Sequence, residues 1–364
     1  MTASRPQREP GPPPGPSHGM RDGSPRAYDA ILYLSFGGPE GPEEVTPFIE
    51  NVTRGRGIPR HRLEEVAEHY HLFGGVSPIN AQNRAVIAAL EVELALNALD
   101  LPVYWGNRNW HPFVTDAVMQ MRNDGVGRAA AFVTSAYSSY SACRQYREDI
   151  GRARAEVGRG APKIDKLRLF YNHPGFIEPQ AATVRSAIAT VAPERRASAS
   201  IAFTAHSIPE SMAGTSSYVA QLEEACRLVA ERAGGPAQWK LVYQSRSGPP
   251  AVPWLGPDVA EHLRWLHREG ATDVVICPIG FVSDHLEVRF DLDVEAATVA
   301  AELGLNMVRA ATVGADPAYV RMIAELVLER MDPRRPRLAA GNFTASHDCC
   351  AADCCPAPAA RPGS

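Results

Sequence analysis

Eight short apolar runs alternate with longer stretches of helical periodicity, and this alternation constrains the chain more than any other feature. The runs are Ala30–Phe36, Pro102–Trp105, Ala129–Thr134, Lys166–Phe170, Ser200–Ala205, Trp239–Gln244, Asp273–Pro278 and Asn306–Val308. Helical patterns cover Ile79–Leu96, Thr115–Arg122, Tyr140–Val157, Pro179–Val191, Ser216–Ala233, Pro257–Glu269, Arg289–Leu303 and Pro317–Met331. Strands that are apolar along their whole length are buried on both faces, which predicts an α/β fold of parallel sheets flanked by helices. The structured body of roughly 305 residues is about twice a typical domain, so two sheets fit better than one. The division expected is a disordered tail at 1–27, an N-terminal half at 28–173, a C-terminal half at 174–312, a helix at 313–332 and a Cys-rich tail at 333–364.

Bulk properties exclude several classes. A net charge of −4 over 364 residues argues against nucleic-acid binding. The best candidate for a membrane span, Val274 to Val282, is too short and is interrupted by Pro278. The first stretch has no apolar core of the kind a secretory signal needs, and a cytoplasmic setting is expected. Four of the seven cysteines, Cys349, Cys350, Cys354 and Cys355, crowd near the end of the chain. In a reducing compartment such a cluster points to metal binding before disulfides.

Ligands of open parallel sheets bind beyond the carboxyl ends of the strands, so the loops there carry the functional expectations. After Phe36 comes Gly37-Gly38-Pro39, which permits close backbone approach either to a ligand or within a tight turn. His206 ends the strand Ser200–Ala205, where partial burial favours a neutral imidazole able to accept a proton or ligate a metal. Glu287, Asp291 and Glu295 recur every four residues, with His285 just before them, and form one line on a helix. Like charges at that spacing repel, so the line is either a solvated face or a path for cations or protons. Arg108, between Trp105 and Trp110, offers a bidentate fork to a carboxylate.

Taken together, Leu34-Ser35-Phe36-Gly37-Gly38-Pro39, Gly74-Gly75-Val76-Ser77-Pro78-Ile79, Thr204-Ala205-His206-Ser207-Ile208-Pro209, Tyr243-Gln244-Ser245 with Pro253-Trp254-Leu255-Gly256-Pro257, and Ser283-Asp284-His285-Leu286-Glu287 resemble the motifs of ferrochelatases, which insert ferrous iron into a porphyrin. The resemblance spans Ala30 to about Met331. It implies two Rossmann-like domains with the porphyrin in the cleft between them and a C-terminal helix packed back on the body. By the same resemblance His206 and Glu287 are the opposed catalytic pair, and His206, Glu287, His285, Asp291 and Glu295 are metal-handling residues on a helix with a π-type widening. Phe36, Ser77, Arg108, Tyr137, Trp254 and Phe281 correspond to substrate-contacting positions, although some members have tyrosine where this chain has Phe36.

Cluster-bearing members recruit one ligand from the position of Cys143. A 2Fe-2S centre needs four thiolates, so Cys143 and three of Cys349, Cys350, Cys354 and Cys355 are expected to hold it, with zinc as the competing metal. Cys226 and Cys277 lie in apolar patterns and read as core. The sequence style resembles the actinobacterial type, which acts on coproporphyrin III. Protoporphyrin IX is the alternative, and a sirohydrochlorin-type cobalt chelatase and a non-enzymatic iron–sulfur sensor are more distant ones.

Overall fold

The computed structural model describes residues 27–55, 57–235, 238–248 and 251–357; the tail at 1–27 lies outside these apart from Ala27. In the first half come β1 (Ala30–Ser35), α1 (Pro42–Thr53), α2 (Arg60–His71), α3 (Pro78–Leu96), β2 (Val103–Asn107), α4 (Val114–Asn123), β3 (Arg128–Val133), α5 (Gln145–Val157) and β4 (Lys163–Lys166). Then follow α6 (Pro174–Thr190), β5 (Ser200–His206), α7 (Glu210–Ala213), α8 (Tyr218–Ala233), β6 (Trp239–Gln244), α9 (Val259–Arg268), β7 (Asp273–Cys277), α10 (Leu286–Arg289), α11 (Ala297–Glu302), β8 (Asn306–Arg309) and α12 (Pro317–Met331). Wide turns of the π type precede α5 at Tyr140–Arg144 and join α10 to α11 at Phe290–Ala296.

Two parallel four-stranded sheets form, ordered β2-β1-β3-β4 and β6-β5-β7-β8. The expected fold class is the observed one. Both sheets are wound in the same order, although the two halves show no matching sequence repeat. In each, the direction of winding changes between the first and third strands, which places the switch points at the ends of β1 and β3 and of β5 and β7. The central strands β1, β5 and β7 are buried at nearly every position, as continuous apolar runs require.

Two sequence expectations fail. The fourth strand is Lys163–Lys166, not Lys166–Phe170: the polar segment pairs with Arg128–Ala131 at the sheet edge. The apolar Leu167, Leu169 and Phe170 instead leave the sheet and enter the central core. The sequence pattern gives no sign of helix α2, because Arg60–His71 has only partly buried residues and too weak an apolar stripe to register.

That central core belongs to both halves. Phe132 and Phe170 stack with ring centroids 5.3 Å apart, and Tyr319 of α12 meets both edge-on. Phe176, Phe203, Cys226 and Cys277 lie in the same cluster, so the two cysteines are core residues as expected. Helix α12 packs on α3 and α6 and closes this core.

Beyond α12 the described residues, as far as 357, form no regular secondary structure, yet they are tied down. Arg168 grips Glu329 through two hydrogen bonds of 2.8 and 2.9 Å and also donates to the Leu338 carbonyl at 2.9 Å. Asn172 accepts from the Ala340 amide and donates to the Phe343 carbonyl. Glu224 accepts from the Asn342 amide at 2.6 Å. Among the described residues no helix is long and apolar enough to cross a membrane.

Candidate active site

His206 is the last residue of β5, and Glu287 lies in the first turn of α10, whose N-cap is His285. Their side chains face one another, His206 Nε2 to Glu287 Oε1, at 3.7 Å and remain about two-fifths exposed. His206 Nδ1 meets the Ser207 carbonyl at 2.5 Å and donates to it, since a carbonyl can only accept. In a neutral ring, Nε2 would then turn a lone pair toward the carboxylate. Burial opposes charge on His206, but Glu287 outweighs it and the pKa is raised. The neutral, pKa-lowered histidine expected from burial alone is therefore corrected for this arrangement. For Glu287 burial pushes the pKa up, and His206 with His285 draws it below the usual value. Burial lowers the pKa of His285 itself, whose Nδ1 accepts weakly from the Val288 amide at 3.4 Å.

Behind Glu287 the wide turn carries Asp291 and Glu295. Asp291 accepts from Gln244 Nε2 at 3.1 Å and from the Ser245 hydroxyl. Burial, reinforced by the neighbouring Glu287 charge, raises its pKa to about 7. Burial also raises Glu295, against an opposing effect of His69. The line of carboxylates is thus half-buried and electrostatically connected, which a purely solvated face would not be.

The first half supplies the facing wall, largely from α2. His69 stacks on Phe290 with ring centroids 3.7 Å apart, and Arg289 lies over Phe73 at 4.8 Å. Burial raises the Tyr70 hydroxyl far above its ordinary pKa, with further upward effects of Glu287 and Asp291. Tyr70 in turn packs on Phe48, which meets Phe36 at the end of β1. The sequence held no signal for His69, Tyr70 or Phe73, because the apolar stripe of α2 is weak, Phe73 lies just beyond it, and the second-half residues they face, Phe290, Glu287 and Arg289, lie more than 200 positions away.

Three of the residues expected to touch substrate are otherwise engaged. Tyr137 is 2% exposed and donates to the Ile279 carbonyl at 2.9 Å, joining the two halves within the core. The Arg108 side chain is largely covered, over the face of Tyr146; its Nε donates to Asp149 at 2.6 Å and its Nη1 to the Ser141 carbonyl at 3.1 Å, while Nη2 is buried without a partner. Ser77 is 4% exposed beneath Gly38, where an added Cβ would come within 2.7 Å of its hydroxyl. The close approach at Gly37-Gly38 is therefore to Asn107 and Ser77 of the protein itself. Phe36 is about one-third exposed, Phe281 sits edge-on to His285 at 5.2 Å, and Trp254 bridges to Pro209 beside the His206 loop. The Trp254 indole Nε1 is buried without a partner.

Near the end of the chain a second cluster forms. Cys143, held in the wide turn before α5, is buried, and its thiol is pushed up by Cys350 and by burial. Cys355 is drawn down by Cys354, whose sulfur is 3.7 Å away, and also senses Cys143 and Cys350. The donor atoms of His347, Cys350 and Cys354 lie within 4.8 Å of one another. Arg144 fastens this segment by donating to the carbonyls of Ala352 at 2.7 Å and Cys354 at 3.2 Å. Cys349 is exposed and its sulfur faces Arg330 at 3.8 Å.

The ferrochelatase family pattern matches residues 28–331. The coproporphyrin III ferrochelatase of Streptomyces coelicolor is 53% identical, over 94% of this chain and 96% of its own. That of Nocardia farcinica is also 53% identical, over 92% and 98%, and the ferrochelatase of Rhodopirellula baltica is 53% identical over 90% and 93%. Among solved structures, SirB from Bacillus subtilis with Fe3+ aligns with a TM-score of 0.50 at 12% identity, over 84% of this chain and 96% of that one; this likeness concerns the fold alone. The chain belongs to the ferrochelatase family of enzymes.

Proposed function

We propose that this enzyme inserts ferrous iron into coproporphyrin III in haem biosynthesis, with His206 and Glu287 at the reacting nitrogens. The observation that carries this reading is the His206–Glu287 pair at the carboxyl edge of the second sheet, backed by Asp291 and Glu295. Metallation removes two pyrrole protons as iron enters. An aromatic ring needs about 3.5 Å on each face, so a macrocycle held between His206 and Glu287 must part them from their 3.7 Å contact. Parting removes the charge that keeps His206 protonated, and leaves a neutral imidazole able to accept a pyrrole proton. Glu287, with His285 beside it, receives iron or passes protons outward through Asp291 and Glu295. Phe36, Trp254 and Phe281 are the aromatic residues available to grip the ring, while Ser77, Arg108 and Tyr137 shape the cleft from behind.

Coproporphyrin III is preferred over protoporphyrin IX because relatives at about half identity from Streptomyces and Nocardia carry that substrate in their names. Iron insertion measured with both porphyrins should be at least about tenfold more efficient in kcat/KM with coproporphyrin III, a difference of about 1.4 kcal/mol. Equal or reversed efficiencies would reassign the substrate. A panel including sirohydrochlorin with cobalt tests the remaining chelatase alternative.

Asp291 gives the iron route a pH dependence. Its pKa of about 7 exceeds the ordinary carboxylate value, so it is protonated below neutrality and ionised above. Iron capture at limiting Fe2+ is expected to rise with pH through about 7, and Asp291→Asn to remove that limb. For stability the sign is opposite: the folded state holds this proton more tightly than the unfolded one, so stability falls as pH rises from about 4 to about 7.

The terminal cluster fits a 2Fe-2S centre in donor type and number. Cys143, Cys350, Cys354 and Cys355 are the four thiols proposed to hold it, since Cys350 acts on both Cys143 and Cys355 and the Cys354 and Cys355 sulfurs lie 3.7 Å apart; Cys349, against Arg330, is then the spare one. Such a centre supplies one-electron chemistry when bound. These residues would hold the tail to the body, with Cys143 contributed by the fold and the other three by the segment beyond α12. His347, Cys350 and Cys354 would equally suit one zinc ion. The location expected for the enzyme is the cytoplasm.

A further inference from the structure

We infer that Arg309 is a positioning residue for iron delivery, because its guanidinium holds both flanks of the segment that carries Glu287 and Asp291. Arg309 ends β8, the edge strand of the second sheet. Its Nη1 donates to Asp284 Oδ1 at 2.9 Å and its Nη2 to Asp284 Oδ2 at 3.2 Å. The same Nη2 reaches Asp293 Oδ2 at 3.2 Å, and Nε lies 2.5 Å from Asp293 Oδ1. One planar fork therefore engages four carboxylate oxygens on two residues.

The placement of those two residues gives the clamp its purpose. Asp284 precedes the cap of α10, and its amide donates to Gln82 Oε1 of the first half at 3.0 Å. Asp293 sits inside the wide turn, between Asp291 and Glu295 in sequence. A four-residue helix running into a π turn has little internal reason to keep its phase, since one turn of helix is barely nucleated and π hydrogen bonding occurs mostly as isolated bulges. Five acidic residues, Asp284, Glu287, Asp291, Asp293 and Glu295, fall within twelve positions and repel one another along this segment. Arg309 neutralises the two on its side and fixes where they sit. The other cation nearby, Arg289, is 3.7 Å from Asp293 and makes no comparable fork. With both ends of the segment anchored to an edge strand, Glu287 and Asp291 are left to face the cleft.

This inference rests on the reading of Glu287 and Asp291 as the iron route. The test is steady-state iron insertion by the full-length Arg309→Gln and Arg309→Lys enzymes, varying Fe2+ and porphyrin separately. Misplacing a catalytic group by about 1 Å can cost up to about a hundredfold. Arg309→Gln should therefore lower kcat about tenfold or more and raise the KM for Fe2+, with the KM for porphyrin unchanged. Lysine keeps the charge but has no fork, so Arg309→Lys should remain impaired. Wild-type constants in either variant overturn the inference, and so does a change confined to the porphyrin KM. Should Arg309→Gln fail to fold, Asp293→Asn releases only one flank and decides the matter: an impaired kcat supports the clamp and a wild-type kcat overturns it. The underlying reading is checked separately by Asp291→Asn, since an unchanged dependence on Fe2+ there removes the iron route whatever Arg309 does.

Discussion

His206→Ala should lower kcat for iron insertion by about 10²- to 10⁴-fold, the range that a positioned proton acceptor contributes. Porphyrin affinity, followed by quenching of porphyrin fluorescence, should stay within about threefold, because an imidazole contributes little to the area that grips the ring. The split follows from where the side chain sits. Its backbone carbonyl accepts from Tyr218 at 3.0 Å and Nδ1 is held by Ser207, so Nε2 alone is free to act on a bound ring. Removing the ring also frees Glu287 from its pair, and its pKa should return upward. Turnover retained near the wild-type rate would sink the assignment of His206 as proton acceptor.

Cys143→Ser and Cys350→Ser should each take the iron and acid-labile sulfide of anaerobically purified protein from about two of each per chain to near zero, and abolish the reduced-state EPR signal. Cys349→Ser should retain both, because that thiol lies against Arg330 and is not among the donors that gather at His347, Cys350 and Cys354. The contrast between neighbouring cysteines is the informative part, since both lie in the same short segment. Stoichiometric zinc and no cluster signal in the unmodified protein would replace the iron–sulfur reading with a single-ion site at His347, Cys350 and Cys354. Activity is a separate readout: the thiols share no contact with His206 or Glu287 among those described, so a role in sensing or holding the tail predicts that turnover outlasts the loss of the centre.

The portions legible in the sequence are those where local pattern and tertiary role coincide. β5 is buried along nearly its whole length and ends in His206, so the strand, its end and the side chain proposed to act there are read together. The four-residue spacing of Glu287, Asp291 and Glu295 likewise announces its own helix. Where burial is decided by distant residues the reading fails. Leu167-Arg168-Leu169-Phe170 has the look of a strand, but its apolar side chains serve a core completed by Phe176 and Tyr319. Arg108 beside two tryptophans looks like an open carboxylate fork, and only the fold reveals Asp149, 41 positions on, already in it. Tyr137 resembles a cleft residue and is in fact a tie between halves. Helix α2 escapes notice for the converse reason, since it contributes to the site wall with only partly buried residues such as Tyr70.

The common core has a consequence for how the molecule can be taken apart. Two sheets wound alike suggest two modules that might be expressed or exchanged singly. Yet Tyr137, Phe170, Phe176, Phe203 and Tyr319 are packed into one body drawn from both sides of residue 173 and from α12. A cut there would strand large apolar faces on each fragment, and neither would have the material to cover them. Despite the repeated architecture, the two halves share one core, so neither half is expected to fold without the other and α12.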